Sequence, residues 1–225
     1  MTERGLLIMV AHPDDETLGC GGTVALHSDM GKTVKVLCLT CPDDERRREL
    51  QKAAEVLGIK ELKVFNEKTL SDKDETVNRI SDVIVSTRPE IVITHLDFDY
   101  HREHRLASEL AKEAVQWAAH TTTYAEPWRV DRLLEMEVNT LIPNAHVLVD
   151  ITTAFNRKME AIECYSSQLV KFPDGYYQRF TKLKAELRGV QGGCHYAEAF
   201  IEEPLTKNSP FYQSKSTSNL FRGAK

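Results

Sequence analysis

The first half of the chain switches repeatedly between unbroken apolar runs and apolar positions spaced three and four apart. Residues 6–11 form a continuous apolar run, the pattern of a strand covered on both faces. Residues 18–30 then predict a helix with Gly31 as its C-terminal stop, and residues 34–39 a second buried strand. Leu50, Ala53, Ala54 and Leu57 fall at i, i+3, i+4 and i+7, which predicts an amphipathic helix over 45–57 closed by Gly58. A short strand over 63–65, a helix over 76–86 ended by Pro89, a strand over 91–94 and a helix over 104–119 continue the alternation. Strands separated by helices of this length predict an α/β protein with a parallel sheet built from βαβ units.

The second half reads less regularly. Residues 133–138 and 146–151 predict two further strands, and their short connection over 139–145 predicts that they lie side by side. Helices are expected over 153–165 and near 181–187. With no internal repeat or linker, residues 1–204 read as one domain, followed by a polar tail or arm over 205–225 rich in Ser, Asn, Thr and Lys. A hydrophobic content of 41% and a charged content of 28% fit an ordinary soluble globular chain. The net charge of −5 offers no footprint for nucleic acid or an anionic membrane, and the basic run Arg46-Arg47-Arg48 is flanked by Asp43, Asp44, Glu45 and Glu49. No run approaches transmembrane length, and the opening apolar stretch, preceded by Glu3, is too short for a signal peptide. Five cysteines give no disulfide framework, so a cytoplasmic setting is expected.

Chemistry concentrates directly after the first strand, in Ala11-His12-Pro13-Asp14-Asp15-Glu16. One imidazole and three carboxylates at a sheet edge are costly to bury unless paired, and a divalent metal would neutralise them. His101-Arg102-Glu103-His104 follows a later strand and offers two more imidazoles. In an open parallel sheet, loops leaving the carboxyl ends of strands meet where helices depart to opposite faces. Given that meeting, His12, Asp15 and His104 can hold one ion and leave a position for water. Asp14 would then take that water's proton, and His101, one helical turn from His104, would stabilise an oxyanion or protonate a leaving amine.

His12-Pro13-Asp14-Asp15-Glu16, Gly19, Gly21-Gly22-Thr23 and His101-x-x-His104-Arg105 together resemble the LmbE-like (PIG-L) N-acetylglucosaminyl deacetylases. The likeness continues through Arg46-Arg47-Arg48-Glu49-Leu50, Lys158-x-Glu160-Ala161-Ile162, Tyr165-x-Ser167-Gln168 and Tyr196-Ala197-Glu198-Ala199-Phe200. The resemblance implies a Rossmann-like fold, with a mostly parallel sheet and helices on both faces, and zinc-dependent removal of acetyl from an N-acetylated amino sugar or its conjugate. It implies His12, Asp15 and His104 as metal ligands, Asp14 as general base, His101 as the oxyanion-stabilising group and Arg46 as a substrate-binding residue. Fe2+ or Co2+ can occupy the same donors. Two departures stand out: Arg102-Glu103 replaces the usual Pro-Asp, and a Gly-x-Pro-Asp turn is absent near residues 66–70. They bear on substrate identity more than on reaction type.

Other readings compete for the same segments. A metal-dependent amidase acting on a non-sugar acyl amine would use the same residues. Gly19 and Gly21 invite a non-catalytic, dinucleotide-binding Rossmann module, but the third glycine of that fingerprint falls at Val24, and three carboxylates stand just before it. His95 ends its strand near the histidine motif and reads as structural or as an outer partner of the ligands. Cys38-x-x-Cys41 has redox or zinc spacing without a second cysteine pair. Tyr165, Tyr176, Tyr177 and Phe180 read as core or loop packing, with a sugar-flanking role as the alternative. A homo-oligomer remains open.

Overall fold

The first apolar run forms β1 (Gly5–Val10), the strand around which the sheet is arranged. The computed structural model describes residues 5–71 and 74–205, so all but the first residue of the expected polar tail lies outside the described residues. β1 pairs in parallel with β2 (Val34–Cys38) on one side and β4 (Pro89–His95) on the other. β2 carries β3 (Glu61–Val64) at the sheet edge, and β4 carries β5 (Arg132–Met136), both in parallel. The chain thus runs outward from β1 to β3, then crosses back and starts outward again from β4. That reversal opens a crevice at the carboxyl ends of β1 and β4.

Side-chain alternation along β1 feeds two cores, which is why the run reads as unbroken apolar sequence. Leu6, Ile8 and Val10 pack with α1 (Asp15–Asp29), α2 (Asp44–Leu57) and α5 (Phe155–Glu163). Leu7, Met9 and Ala11 pack with α3 (Asp74–Thr87) and α4 (Arg102–Ala118). Helices therefore cover both faces, as expected. Gly58 stops α2 at φ 76, a left-handed conformation that favours glycine. No helix among the described residues is long and apolar enough to cross a membrane.

The second half corrects one expectation and adds a strand. The strands predicted over 133–138 and 146–151 exist as β5 and β6 (Val147–Asp150), but they are not neighbours. Between them lies β7 (Ala197–Glu203), antiparallel to both, and the sheet order is β3-β2-β1-β4-β5-β7-β6. The sequence hides β7 because Glu198 sits within it, and a charge there breaks the apolar pattern until its buried partner is known. The helix expected over 153–165 is α5, a short α6 (Ser166–Leu169) follows it, and the helix expected near 181–187 is the longer α7 (Tyr176–Gly192).

The glycines of α1 are spacers between helix and sheet. A Cβ on Gly22 would come within 2.7–2.8 Å of Ile151, whose branched side chain is itself buried, and one on Gly19 would strike Met136. Gly22→Ala is accordingly expected to destabilise by about 1–3 kcal/mol, despite alanine's better helix propensity. Urea unfolding monitored by circular dichroism measures this; an unchanged midpoint would mean that helix and strand are not packed this tightly.

Candidate functional site

Past Val10 the chain turns sharply through residues 11–14 into α1. Asp14 adopts φ 109, ψ −28, a left-handed conformation unusual for a non-glycine residue and costly unless its surroundings enforce it. The three consecutive carboxylates then point to three different elements. Asp14 accepts a hydrogen bond from Arg46 Nη2 of α2 at 2.8 Å, and the same nitrogen donates to the Pro13 carbonyl. Glu16 is fully buried and accepts from Tyr165 Oη and Thr17 Oγ1, each at 2.5 Å.

Asp15 is the hub between the two loops. Its Oδ2 accepts the His12 backbone N–H at 2.8 Å and lies 3.3 Å from His12 Nδ1, while its Oδ1 lies 3.3 Å from His104 Nε2. The structure therefore brings His12, Asp15 and His104 together across the β1–β4 crevice. The His101 ring centroid lies 5.0 Å from that of His12 and 4.6 Å from that of His104, so it joins the same cluster. The nitrogens of His12, His101 and His104, and the donor atoms of Asp15, His95 and His104, form two groups with all atoms within 4.8 Å of one another.

His95 Nε2 also lies near Asp15, 3.4 Å from its Oδ2, so hydrogen bonding rather than spacing separates the candidate donors. Ligands at about 2.0–2.1 Å from a tetrahedral ion are spaced about 3.3 Å apart, close to all of these Asp15–imidazole separations. His95 is less available: its Nε2 accepts the Ala11 N–H at 2.9 Å, and its ring stacks on His104 at 4.0 Å. It props His104 from behind.

Charge balance points the same way. Burial opposes a charged His104, yet Asp15 holds its pKa up at about 10; His12 stands at about 9, against burial, through Asp15 and Glu103. Asp15 is driven well below the usual carboxylate range by His104 and His95 despite its burial. Burial pushes Asp14 up to about 8, helped by the Asp15 charge and opposed by Arg46. Asp15 thus draws positive charge, which a divalent cation bound there would supply in place of the imidazole protons. His95 and His101 are both shifted down, first by burial and then by the neighbouring histidines.

These groups form one wall of a cleft of about 700 Å³. Arg46 and Glu45 of α2 form a second wall, and Gln168, Lys171, Phe172 and Tyr177 a third, with Tyr100 and Asn139 at the rim. Arg46, expected to bind substrate, reaches the cleft but is nearly buried, its guanidinium held by Asp14 and, at 3.0 Å, by Glu49. Arg46 extends the inward stripe of Leu50, Ala53 and Leu57 by one helical turn, while Arg48 faces solvent.

The PIG-L family model, described as GlcNAc-PI de-N-acetylase, matches residues 7–115, a span that includes His12, Asp14, Asp15, Arg46, His101 and His104. A conserved protein of Thermus thermophilus has a similar structure, with a TM-score of 0.83 and 30% identity over 94% of this chain and 100% of that one. The chain belongs to the PIG-L/LmbE-like family. Its PIG-L relatives differ in named chemistry. Diacetylchitobiose deacetylase of Thermococcus kodakarensis is 27% identical, covering 87% of this chain and 81% of that protein. The 4-oxalmesaconate hydratase of Pseudomonas putida is 28% identical, covering 84% and 81% respectively.

Sequence reading missed what the later PIG-L-like segments do. Glu49 accepts the Ser167 N–H and hydroxyl, each at 2.7 Å, tying α2 to the Tyr165-x-Ser167 segment. Glu198 of β7 accepts from the Gly22 and Thr23 amides at 2.9 and 2.7 Å and from Lys158 Nζ at 2.6 Å. The amides that a dinucleotide's pyrophosphate would need are therefore already engaged. Cys38 and Cys41 are buried and donate to the Thr40 and Asp43 carbonyls, without the exposed thiolate that redox chemistry needs.

Glu103, which replaces the family's aspartate, is the most informative omission. Its Oε2 lies 2.6 Å from His12 Nε2, and its Oε1 accepts the Leu70 N–H at 2.8 Å. Both departures from the family pattern meet at one carboxylate. Removing a buried partner leaves its charge uncompensated, so Lys158→Met is expected to destabilise by about 3–5 kcal/mol by stranding Glu198. Lys158→Met/Glu198→Gln should recover part of that loss in thermal unfolding; equal losses in both variants would show that the pair is not the source.

Proposed function

We propose that this chain is a metal-dependent hydrolase that removes acetyl from an N-acetylated amino sugar or its conjugate. The observation that carries the reading is the convergence of His12, Asp15 and His104 beside Asp14 on one cleft wall. Support for the reaction class comes from relatives named as sugar deacetylases. A divalent metal on those three residues, zinc first and Fe2+ or Co2+ on the same donors, supplies Lewis acidity toward the amide carbonyl and acidifies a water.

The chain's own residues do the rest. Asp14 takes the attacking water's proton and passes it to the departing amine nitrogen. Arg46 fixes the Asp14 carboxylate at 2.8 Å, and the strained Asp14 backbone aims it into the cleft. His101 donates an imidazole N–H to the carbonyl oxygen as negative charge develops there. Glu103 accepts from His12 Nε2–H, which fixes the tautomer and leaves Nδ1, on the Asp15 side, as the metal-facing nitrogen. Arg46, Lys171 and the aromatic rim seat the sugar.

A second reading has its own support: the hydratase relative covers most of this chain. Addition of water across a carbon–carbon double bond of an unsaturated carboxylic acid would use the same base, with Arg46 and Lys171 toward the carboxylates. Acetate release from N-acetylated amino sugars supports the first reading. Loss of diene absorbance from 4-oxalmesaconate-type acids without acetate release supports the second, and acetate from non-sugar acyl amines alone marks a different amidase.

Asp14→Asn is expected to bind zinc like the wild type and lose about 10²–10⁴-fold in kcat. A fully active variant overturns the base assignment. His104→Ala should fail to retain metal on dialysis, as read by elemental analysis. Glu103→Ala should weaken zinc binding about 10–100-fold in chelator competition, with Glu103→Gln closer to wild type; unchanged affinity would remove Glu103 from the metal's support.

A further inference from the structure

α7 carries apolar residues on two opposite sides. Thr181, Ala185 and Gly189 face inward and are buried. On the outer side Tyr176, Phe180, Leu183, Leu187 and Val190 follow one another at spacings of four, three, four and three, the repeat of a helix seam rather than of scattered surface residues. They are not shielded: Tyr176 is 48% exposed, Leu183 61%, Leu187 47% and Val190 80%. Phe172, which packs on Tyr176 with ring centroids 5.3 Å apart, and Val170 extend the patch at one end. Single exposed leucines are ordinary, but an apolar row along a 17-residue helix, about 25 Å long, is a contact surface.

We propose that this face binds the same face of a second copy of the chain, with the two α7 helices antiparallel about a two-fold axis at Leu183. Such an interface is self-complementary: each residue meets the one equally far from Leu183 on the other side. Leu183 meets its counterpart, Tyr176 meets the partner's Val190, and Phe180 falls between the partner's Leu183 and Leu187. Charge selects this arrangement. The residues flanking the row on one side are Arg179 and Glu186, placed almost symmetrically about Leu183. Arg179 is exposed and has no ion-pair partner among the described residues, and Glu186 has only Lys182 at 3.9 Å. The antiparallel pairing sets Arg179 beside the partner's Glu186 twice, once on each side of the axis. A parallel pairing about a two-fold axis would put this flank of the two helices on opposite sides of the seam and forgo both pairs. Because Phe172 and Tyr177 also line the cleft, the pairing stands next to the cleft mouth without using the residues at its base.

Light scattering and sedimentation of the full chain at micromolar concentration test this. The wild type is expected to be a dimer or an even-numbered assembly, and Leu183→Glu to halve its mass while keeping its circular dichroism spectrum. Should Leu183→Glu fold poorly, charge reversal gives the same answer. Arg179→Glu should weaken association, and Arg179→Glu/Glu186→Arg should restore it. Leu183→Cys should form a disulfide-linked dimer under mild oxidation that wild type, with its own cysteines, does not. A monomeric wild type overturns the proposal and makes residues 206–225 or a different partner the cover of this face. An assembly indifferent to both Leu183→Glu and Arg179→Glu overturns it equally.

Discussion

Three consecutive carboxylates buried at the end of the first strand constrain nearly everything else in this molecule. Local partners, the Thr17 hydroxyl for Glu16 and the His12 amide for Asp15, do not supply a counter-charge, and leaving any of the three unpaired would cost several kcal/mol. Each is met by a different element: Asp14 by Arg46 of α2, Asp15 by His95 and His104 of β4 and α4, Glu16 by Tyr165 beyond α5. Only a topology that returns α2, α4 and α5 to one end of β1 provides all three. The same sheet order that buries Leu6 to Ala11 on both faces also delivers those partners.

The three carboxylates are satisfied to different degrees, and the gradient has chemical meaning. Glu16 is fully buried and held by two hydroxyls, so it is fixed as structure. Asp15 is shared among imidazoles, of which His12 and His104 prefer to be charged beside it and His95 does not, a balance that an ion would reset. Asp14 opens on the cleft and is held by one cation, against the pull of burial and its acidic neighbours. Access to the cleft thus increases from Glu16 through Asp15 to Asp14, from the interior outward.

Much of this was legible from residue order. The unbroken run before His12 identified β1, helix-length spacers implied parallel strands, and the switch-point rule predicted that loops nearly ninety positions apart would meet. What stayed hidden shares one physical cause: charges that read as surface until their partner is known. Glu198 masked β7, and with it the true neighbour of β5, because its carboxylate is neutralised by Lys158 and two α1 amides rather than by water. Glu103 looked like a loop substitution, whereas its added methylene relative to aspartate lets one carboxylate hold both His12 and Leu70. The outer row of α7 was obscured in the opposite sense, since Tyr176 and its neighbours resemble core until the helix is seen to expose them.

The placement of β7 has a consequence for the order in which the protein can be built. A ribosome releases β5 and β6 before β7, yet β6 is joined to the sheet only through β7, so it has no place in the ladder until residues 197–203 are available. Until then α1 carries unmet Gly22 and Thr23 amides, and Lys158 is a cation without its anion. The last strand therefore works like a keystone, closing the hydrogen-bond ladder and the buried charge balance in a single act. Until that strand arrives, the edge of β5 that it covers is open to pairing with another chain.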